Sequence, residues 1–179
     1  MNAKLVEPDL WREISQIIDR DFGQDITRKI SIGFAPFEIP RGKNIAMYLV
    51  PMSWIDLMDN WNAFSIQSMG LWLGDYDGTD FKISLLAAQK IAEDTSAYII
   101  ISSHSAEAFT YGRSILKESV IELNEQLTRG QKVIVFNEEH ECLGIALLSI
   151  DANKLNRLGP DKLVAKNLVD IGWYIRRLG

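Results

Sequence analysis

The chain has 179 residues, of which 47% are hydrophobic and 24% are charged, and its formal net charge is −5. This composition excludes a disordered or fibrous chain, and the length suits one ordinary domain or two small ones. A single cysteine, Cys142, excludes an internal disulfide framework, and two histidines leave little material for a zinc site or a Ser-His relay. We therefore expect a chain without metal ions or cofactors.

No apolar run approaches the roughly 18–20 residues that cross a bilayer, and residues 1–7 lack the hydrophobic segment of a signal peptide. We therefore expect a soluble cytoplasmic protein with no membrane partner. Charge is distributed unevenly. Residues 1–100 hold 9 basic and 14 acidic groups, whereas residues 151–179 hold six basic and three acidic groups. The last stretch is either a solvated face or a basic binding surface.

Apolar residues at helical spacing after Pro8 predict a first helix that ends before Gly23. The stretch that follows is irregular, with a possible strand near Ile30–Phe34. A continuous apolar run predicts a buried strand over Asn44–Val50, and Pro51 then begins a second helix that extends through Trp61.

Two strands, Gly70–Gly74 and Phe81–Ser84, form a predicted hairpin whose turn is Asp75–Gly78. A compact helix is predicted over Leu85–Glu93, and the β-branched run Ala97–Ser102 is typical of a fully buried strand. The chain therefore alternates short helices and strands up to about residue 100.

Beyond residue 102 the pattern changes to short strands separated by brief turns, typical of a small, partly closed β-barrel. The predicted strands are Val120–Leu123, Lys132–Asn137, Leu143–Ile150 and Leu163–Asn167, with a short helix or tight turn at Gly112–Lys117. We therefore predict an α+β fold with two domains. Residues 1–98 form a small α/β domain with an antiparallel sheet, and residues 99–179 form the barrel.

The segment Asp170–Arg177 fits two structures. As a helix it has Asp170 as N-cap and Arg176 and Arg177 at its negative end, whereas as a strand it directs Ile171, Trp173 and Ile175 inward. We favour the helix, because it places the two arginines where a helix dipole stabilises them.

Three candidate catalytic or metal sites fail on inspection. Asp75–Gly78 resembles a calcium loop but lacks its later glycine and glutamate, so a hairpin turn explains it better. Ser103, His104 and Ser105 are adjacent in sequence, where side chains diverge, and we interpret them as a polar connector between domains. Cys142 follows an acidic run that disfavours a thiolate, which indicates a structural cysteine.

The basic residues near the C-terminus suggest RNA binding. If Lys162–Lys166 is a strand, Lys162, Val164 and Lys166 face the same side. The two lysines then lie about 13 Å apart, close to two phosphate steps of an extended strand. Arg157 precedes this segment and extends the basic edge. Aromatic residues available for base stacking are Tyr111 and Trp173.

Several motifs resemble those of a known family. They are Ala108-Phe-Thr-Tyr-Gly-Arg-Ser-Ile-Leu-Lys-Glu-Ser119, Leu143-Gly-Ile-Ala146, Arg157-Leu-Gly-Pro160, Asp170-Ile-Gly-Trp-Tyr-Ile-Arg176 and Leu71-Trp-Leu-Gly74 followed by Phe81-Lys-Ile-Ser-Leu85. The pattern resembles the archaeal and eukaryotic large-subunit ribosome biogenesis factors, the Nip-seven homologues, over about residues 65–179. This resemblance implies an N-terminal α/β domain and a C-terminal PUA pseudo-β-barrel.

The resemblance further implies non-catalytic binding of precursor ribosomal RNA through the PUA domain, and docking to assembly proteins through the first domain. By matching position Arg157 is the clearest RNA-binding residue, and Lys162 and Lys166 fall in the same segment. We add Lys154, Arg113 and Lys117 as neighbouring phosphate contacts.

Two other functions stay open. One is a protein–protein adaptor in a ribosome-assembly complex with little RNA affinity of its own. Its docking surface would be formed by tryptophans of the first domain, namely Trp11, Trp54, Trp61 and Trp72. The other is an RNA-modifying enzyme, but the chain offers no catalytic constellation and no room for a catalytic domain. We expect a monomeric, non-catalytic RNA-binding factor.

Overall fold

The structure, a computed structural model, describes residues 3–56, 66–173 and 176. The chain divides into two compact units, residues 1–20 with 24–90 and residues 21–23 with 91–179. The first unit contains an antiparallel sheet and the second a barrel-like sheet, which confirms the predicted α+β fold class. The predicted domain division between residues 98 and 99 stays a prediction.

Five antiparallel strands form the sheet of the first unit, in the order β1-β2-β3-β4-β5. Their bounds are Lys4–Leu5 (β1), Phe34–Arg41 (β2), Asn44–Pro51 (β3), Leu71–Tyr76 (β4) and Phe81–Ile83 (β5). Alternate residues of β2 and β3, including Phe37, Ile39, Tyr48 and Val50, form one buried cluster. The predicted strand over Asn44–Val50 and the predicted hairpin are confirmed.

The helices of this part of the chain are Pro8–Phe22 (α1), Ile26–Ile30 (α2) and Leu85–Ala92 (α3). The predictions of α1 and α3 are confirmed, whereas the strand predicted near Ile30–Phe34 is wrong. Ile26, Thr27 and Ile30 are buried at helical spacing, so this segment ends a helix and β2 begins only at Phe34. Residues 52–56 form a 3-10 helix, and the remainder of the helix predicted from Pro51 lies outside the described residues.

The β4–β5 turn lies two residues later than predicted. Tyr76 pairs with Phe81, so the turn is Asp77–Asp80 rather than Asp75–Gly78. The Asp77 carboxylate accepts the backbone N–H groups of Asp80 at 3.0 Å and Thr79 at 3.1 Å, and the Thr79 hydroxyl at 2.9 Å. These bonds, led by that from Asp80, lower the pKa of Asp77 to about 2. The hydrogen bonds of this aspartate therefore fix the turn between the two strands.

Six strands form the sheet of the second unit, in the order β7-β11-β10-β9-β6-β8. Their bounds are Tyr98–Ile101 (β6), Ile115–Leu116 (β7), Val120–Leu123 (β8), Lys132–Phe136 (β9), Cys142–Leu148 (β10) and Leu163–Asp170 (β11). Only β6 and β9 pair in parallel among the described strands. Ile99, Val133, Val135, Leu148 and Val164 lie in the buried core of the barrel. The strands predicted beyond residue 96 are confirmed within one or two residues at most ends.

Two local predictions in the second unit need correction, one in full and one in part. Ser103–Thr110 is a helix, α4, and not a connector, because Ala106 and Phe109 are buried one turn apart. Of the short helix or tight turn predicted at Gly112–Lys117, a turn is present at Gly112, but strand β7 and then a 3-10 helix at Lys117–Ser119 follow it.

The end of the chain has the helical character that we favoured. Residues 172, 173 and 176 are helical, and residues 174–175 and 177–179 lie outside the described residues, among them Ile175 and Arg177. Asp170, predicted as the N-cap, is the last residue of β11. Its carboxylate binds Arg176 instead of the N–H groups of the first turn.

Candidate nucleic-acid interface

Four of the six predicted basic residues lie along the pair of strands β7 and β11. Leu163 pairs with Leu116 and Ala165 with Ile115, so Lys162 and Lys117 meet at one end of the pair. The Lys117 N–H donates to the Lys162 carbonyl at 2.9 Å. At the other end of the pair, the Asn167 N–H donates to Ser114 Oγ at 3.4 Å. Arg113 directly precedes Ser114 and Lys166 directly precedes Asn167, so this contact brings the two basic residues near each other. We call Arg113, Lys117, Lys162 and Lys166 the β7–β11 edge.

The predicted common face of Lys162, Val164 and Lys166 is wrong. Val164 and Ala165 are both fully buried, whereas Lys162 and Lys166 are exposed. The register between β11 and β7 shifts between Leu163 and Ala165, and this irregularity breaks the alternation of a flat strand. Both lysines still reach solvent, one on each side of this irregularity.

The remaining two predicted residues, Lys154 and Arg157, lie on a 3-10 helix over Ala152–Arg157. Arg157 is exposed, and Lys154 forms an ion pair with Asp151 at 2.8 Å. The pKa of Asp151 is lowered, first by the hydrogen bond from Lys154 and then by the backbone N–H of Arg129. Residues 158–161 connect this helix to Lys162, so Arg157 lies one short loop from the β7–β11 edge.

Carboxylates accompany the basic residues of this region. Lys162 lies 3.7 Å from Asp161, and Glu118 directly follows Lys117. Ion pairs between exposed side chains contribute about 0–1 kcal/mol, so a phosphate can displace such a carboxylate at small cost. The positive potential is nevertheless weaker than the count of basic residues indicates.

Exposed apolar side chains lie beside the edge, at the turn that follows α4. Tyr111 is 70% exposed. The chain reverses at Gly112, whose φ of +87° lies in the left-handed region. Trp173, the second aromatic residue predicted for base stacking, is also exposed, as are Leu168 and Ile171.

A network that sequence reasoning missed surrounds this turn. Asn167 Nδ2 donates to the Phe109 carbonyl at 2.9 Å and to the Asp170 carboxylate at 3.2 Å. Arg176 Nη2 lies 3.0 and 3.1 Å from the two Asp170 oxygens, and its Nη1 donates to the Thr110 carbonyl. The Asp-Ile-Gly…Arg motif was the sequence feature that could have indicated this network. The sequence alone does not show which helix the residues of the motif contact.

Ser103, a candidate nucleophile in the sequence, contacts Glu138. Ser103 donates its N–H at 2.8 Å and its hydroxyl at 2.5 Å to Glu138, and these bonds lower the pKa of that carboxyl. Among the described residues, no three His, Cys, Asp or Glu side chains lie close enough to hold a metal ion. Within the same residues, no helix is long and apolar enough to span a bilayer.

Cys142 is a poor nucleophile in the folded protein. Burial raises the pKa of its thiol to about 11, which leaves on the order of one part in a thousand as thiolate at pH 8. We expect a thiol reagent at pH 8 to modify the native protein at least tenfold more slowly than the urea-unfolded protein. Equal modification rates for the native and the unfolded protein would contradict the effect of burial. The Cys142→Ser variant, which has no thiol, measures the background reaction.

Comparison with known proteins shows what this chain is similar to. Residues 97–179 match the family model of the UPF0113 PUA domain. The chain is also similar to the 60S ribosome subunit biogenesis protein nip7 of Schizosaccharomyces pombe, with 26% identity over 63% of each chain, which is less than two thirds of that relative's length. With the NIP7 protein of Saccharomyces cerevisiae it shares 25% identity over 93% of this chain and 94% of that one. The resemblance to the biogenesis factors is thereby confirmed.

Solved structures share the fold of the whole chain. A hypothetical protein of Pyrococcus horikoshii OT3 superposes with a TM-score of 0.67 over 97% of this chain and 99% of that one, at 11% identity. A conserved PUA domain protein of Thermoplasma acidophilum gives 0.64 over 99% of both chains, at 10% identity. At this identity the likeness concerns the fold of both units and not the function.

Proposed function

We propose that this protein is a non-catalytic RNA-binding factor in assembly of the large ribosomal subunit. Relatives in both yeasts are named as 60S ribosome subunit biogenesis proteins, and the second unit has the PUA fold. The observation that carries the proposal is the β7–β11 edge, where Arg113, Lys117, Lys162 and Lys166 line one pair of strands beside the exposed Tyr111.

The edge would hold the RNA backbone rather than read its sequence. Lysine and arginine side chains bind phosphates without distinguishing bases, so these contacts position the RNA. Tyr111 is free to stack on an unpaired base, which duplex RNA does not offer. We therefore propose single-stranded or irregular regions of precursor ribosomal RNA as the ligand.

The affinity of the isolated protein should be modest. The chain carries a net charge of −5, and Lys154 and Lys162 each have a carboxylate partner. Added salt weakens the long-range repulsion between RNA and the acidic rest of the protein, but it also weakens each contact between a basic side chain and a phosphate. A factor of this kind would depend on assembly proteins to bring it to its site, in the nucleolus of a eukaryote or the cytoplasm of other cells.

A protein adaptor is the second candidate, favoured by an apolar cluster in the first unit. Ile32 is 70% exposed and Met52 60%, and the Met52 N–H donates to the Gly33 carbonyl at 3.0 Å, next to Ile32. Trp54, two residues further, is also exposed. Of the other tryptophans predicted for docking, Trp11 and Trp72 are half-buried, and Trp61 lies outside the described residues.

Direct RNA binding separates these two functions. We expect the purified protein to bind a fluorescent uridine-rich single strand at 50 mM salt, and to bind a duplex of equal length at least several-fold more weakly, because a duplex hides its bases. A pull-down with and without nuclease provides the second readout. Partners that survive nuclease, together with no binding to either RNA, would favour the adaptor and contradict the RNA-binding factor.

A further inference from the structure

The C-terminal carbonyls of helix α4 (Ser103–Thr110) are satisfied by residues from the end of β11 and beyond. A helix leaves its last carbonyls without intrahelical partners. Here the Phe109 carbonyl accepts the Asn167 amide and the Gly112 N–H, and the Thr110 carbonyl accepts Arg176 Nη1. A cation at this end of a helix is also favoured by the helix dipole. Arg176 therefore caps a helix to which it does not belong.

The second nitrogen of Arg176 neutralises a buried carboxylate. Asp170 is 2% exposed, and both of its oxygens lie within 3.1 Å of Arg176 Nη2. A buried charge that loses its partner is costly. For Arg176 to move to an RNA phosphate, it would have to leave both Asp170 and the Thr110 carbonyl. This arginine is thus poorly placed to contact phosphate, although it belongs to the basic C-terminal stretch.

The same contacts hold the turn that presents Tyr111. The N–H groups of Tyr111 and Arg113 both donate to the Ala108 carbonyl, at 3.1 and 3.2 Å, so the turn is built on the end of α4. Gly172 lies directly against it, since a Cβ at that position would come within 2.0 Å of the Thr110 carbonyl oxygen. Displacing Arg176, or moving Gly172 away from the Thr110 carbonyl, would shift Tyr111 and Arg113 together.

We propose that Arg176 is a positioning residue for RNA binding, one that fixes the Tyr111–Arg113 turn through Asp170 and the Thr110 carbonyl without contacting a phosphate itself. The proposal rests on the proposed function, because it assigns Arg176 a role at the same surface. It predicts that the shape of this side chain matters and not only its charge.

The test compares Arg176→Lys with Arg28→Lys, which retains charge at an exposed arginine of the first unit that pairs with Asp25 and lies outside the predicted RNA-binding residues. Lysine has one terminal nitrogen and cannot replace both guanidinium contacts, so we expect Arg176→Lys to lower RNA affinity about fivefold. Arg28→Lys should stay within about twofold of wild type, because Arg28 is not among the predicted phosphate contacts. The slope of log affinity against log salt should not change for Arg176→Lys or Arg176→Ala, because no phosphate contact is lost. Hydrogen exchange of the Tyr111, Gly112 and Arg113 amides should accelerate in both Arg176 variants.

Each other outcome overturns the proposal. Arg176→Lys that binds like wild type, with a slope reduced by about 0.7 in Arg176→Ala, would make Arg176 a direct phosphate contact. Unchanged exchange at the turn would remove the positioning role even if affinity fell. Failure of the wild-type protein to bind RNA at all would overturn the proposed function, and with it the role of Arg176 in binding. That failure is recognised because Arg28→Lys and wild type then both fail to bind RNA.

Discussion

Replacing Lys162 and Lys166 by alanine should weaken RNA binding and flatten its salt dependence together. Each lost phosphate contact on a single strand removes about 0.7 from the slope of log affinity against log salt, so the double variant should lose about 1.4. The reason is that both side chains are exposed, Lys162 directly before β11 and Lys166 on it, and neither contributes to the core of the barrel. Fluorescence anisotropy from about 50 to 200 mM salt measures the slope.

The control for this experiment removes the same charge elsewhere. Lys43 and Lys82 are exposed in the first unit, and their double alanine variant changes the net charge equally. We expect the slope of this control to match wild type, because general charge alone does not create phosphate contacts. Equal slopes in wild type and Lys162→Ala/Lys166→Ala would contradict the assignment of the surface.

Gly144→Ala should destabilise the barrel by about 3 kcal/mol, the upper range for overpacking a core position. A Cβ at Gly144 would lie 2.1 Å from the Val169 carbonyl oxygen and 2.9 Å from the Asp170 Cα, so the clash is with backbone atoms of β11. Since β11 carries Lys166 and Asp170, the strand cannot move away without disturbing the surface itself. The free energy of unfolding in urea measures the effect.

The matched control is Gly130→Ala, in the same unit. Gly130 has a φ of +87°, but the Cβ that alanine adds there would meet nothing within 4 Å, so only backbone strain of about 1–2 kcal/mol is expected. The difference between the two variants isolates the contact with β11. Equal losses of stability would contradict the steric explanation.

Sequence patterns predicted the strands of the barrel well because each is a short apolar run between turn residues. β9 and β10 are examples, with buried Val133, Val135 and Leu148 at alternating positions. Helix α4 was missed because its first turn, Ser103-His104-Ser105, is polar and its apolar residues are few. Its stability comes from long-range contacts, such as Glu138 at one end and Asn167 at the other. Contacts of this kind leave no local periodicity.

The predicted RNA-binding residues illustrate the same limit. Exposure of Lys162 and Lys166 could be predicted from residue type, but the irregularity that buries both Val164 and Ala165 depends on pairing with β7. Lys117 was predicted to lie near this segment, but its pairing with Lys162 follows from the strand register, which the sequence does not show. Whether these residues bind RNA stays a prediction.

The most direct test of the central claim is the salt dependence of wild-type binding to a uridine-rich single strand. If three to six phosphates contact the predicted basic residues, the slope of log affinity against log salt should lie between about −2 and −4. That result would support a factor that holds RNA through its backbone. Absence of binding at 50 mM salt, or a slope near zero, would contradict it and leave the protein adaptor as the better explanation.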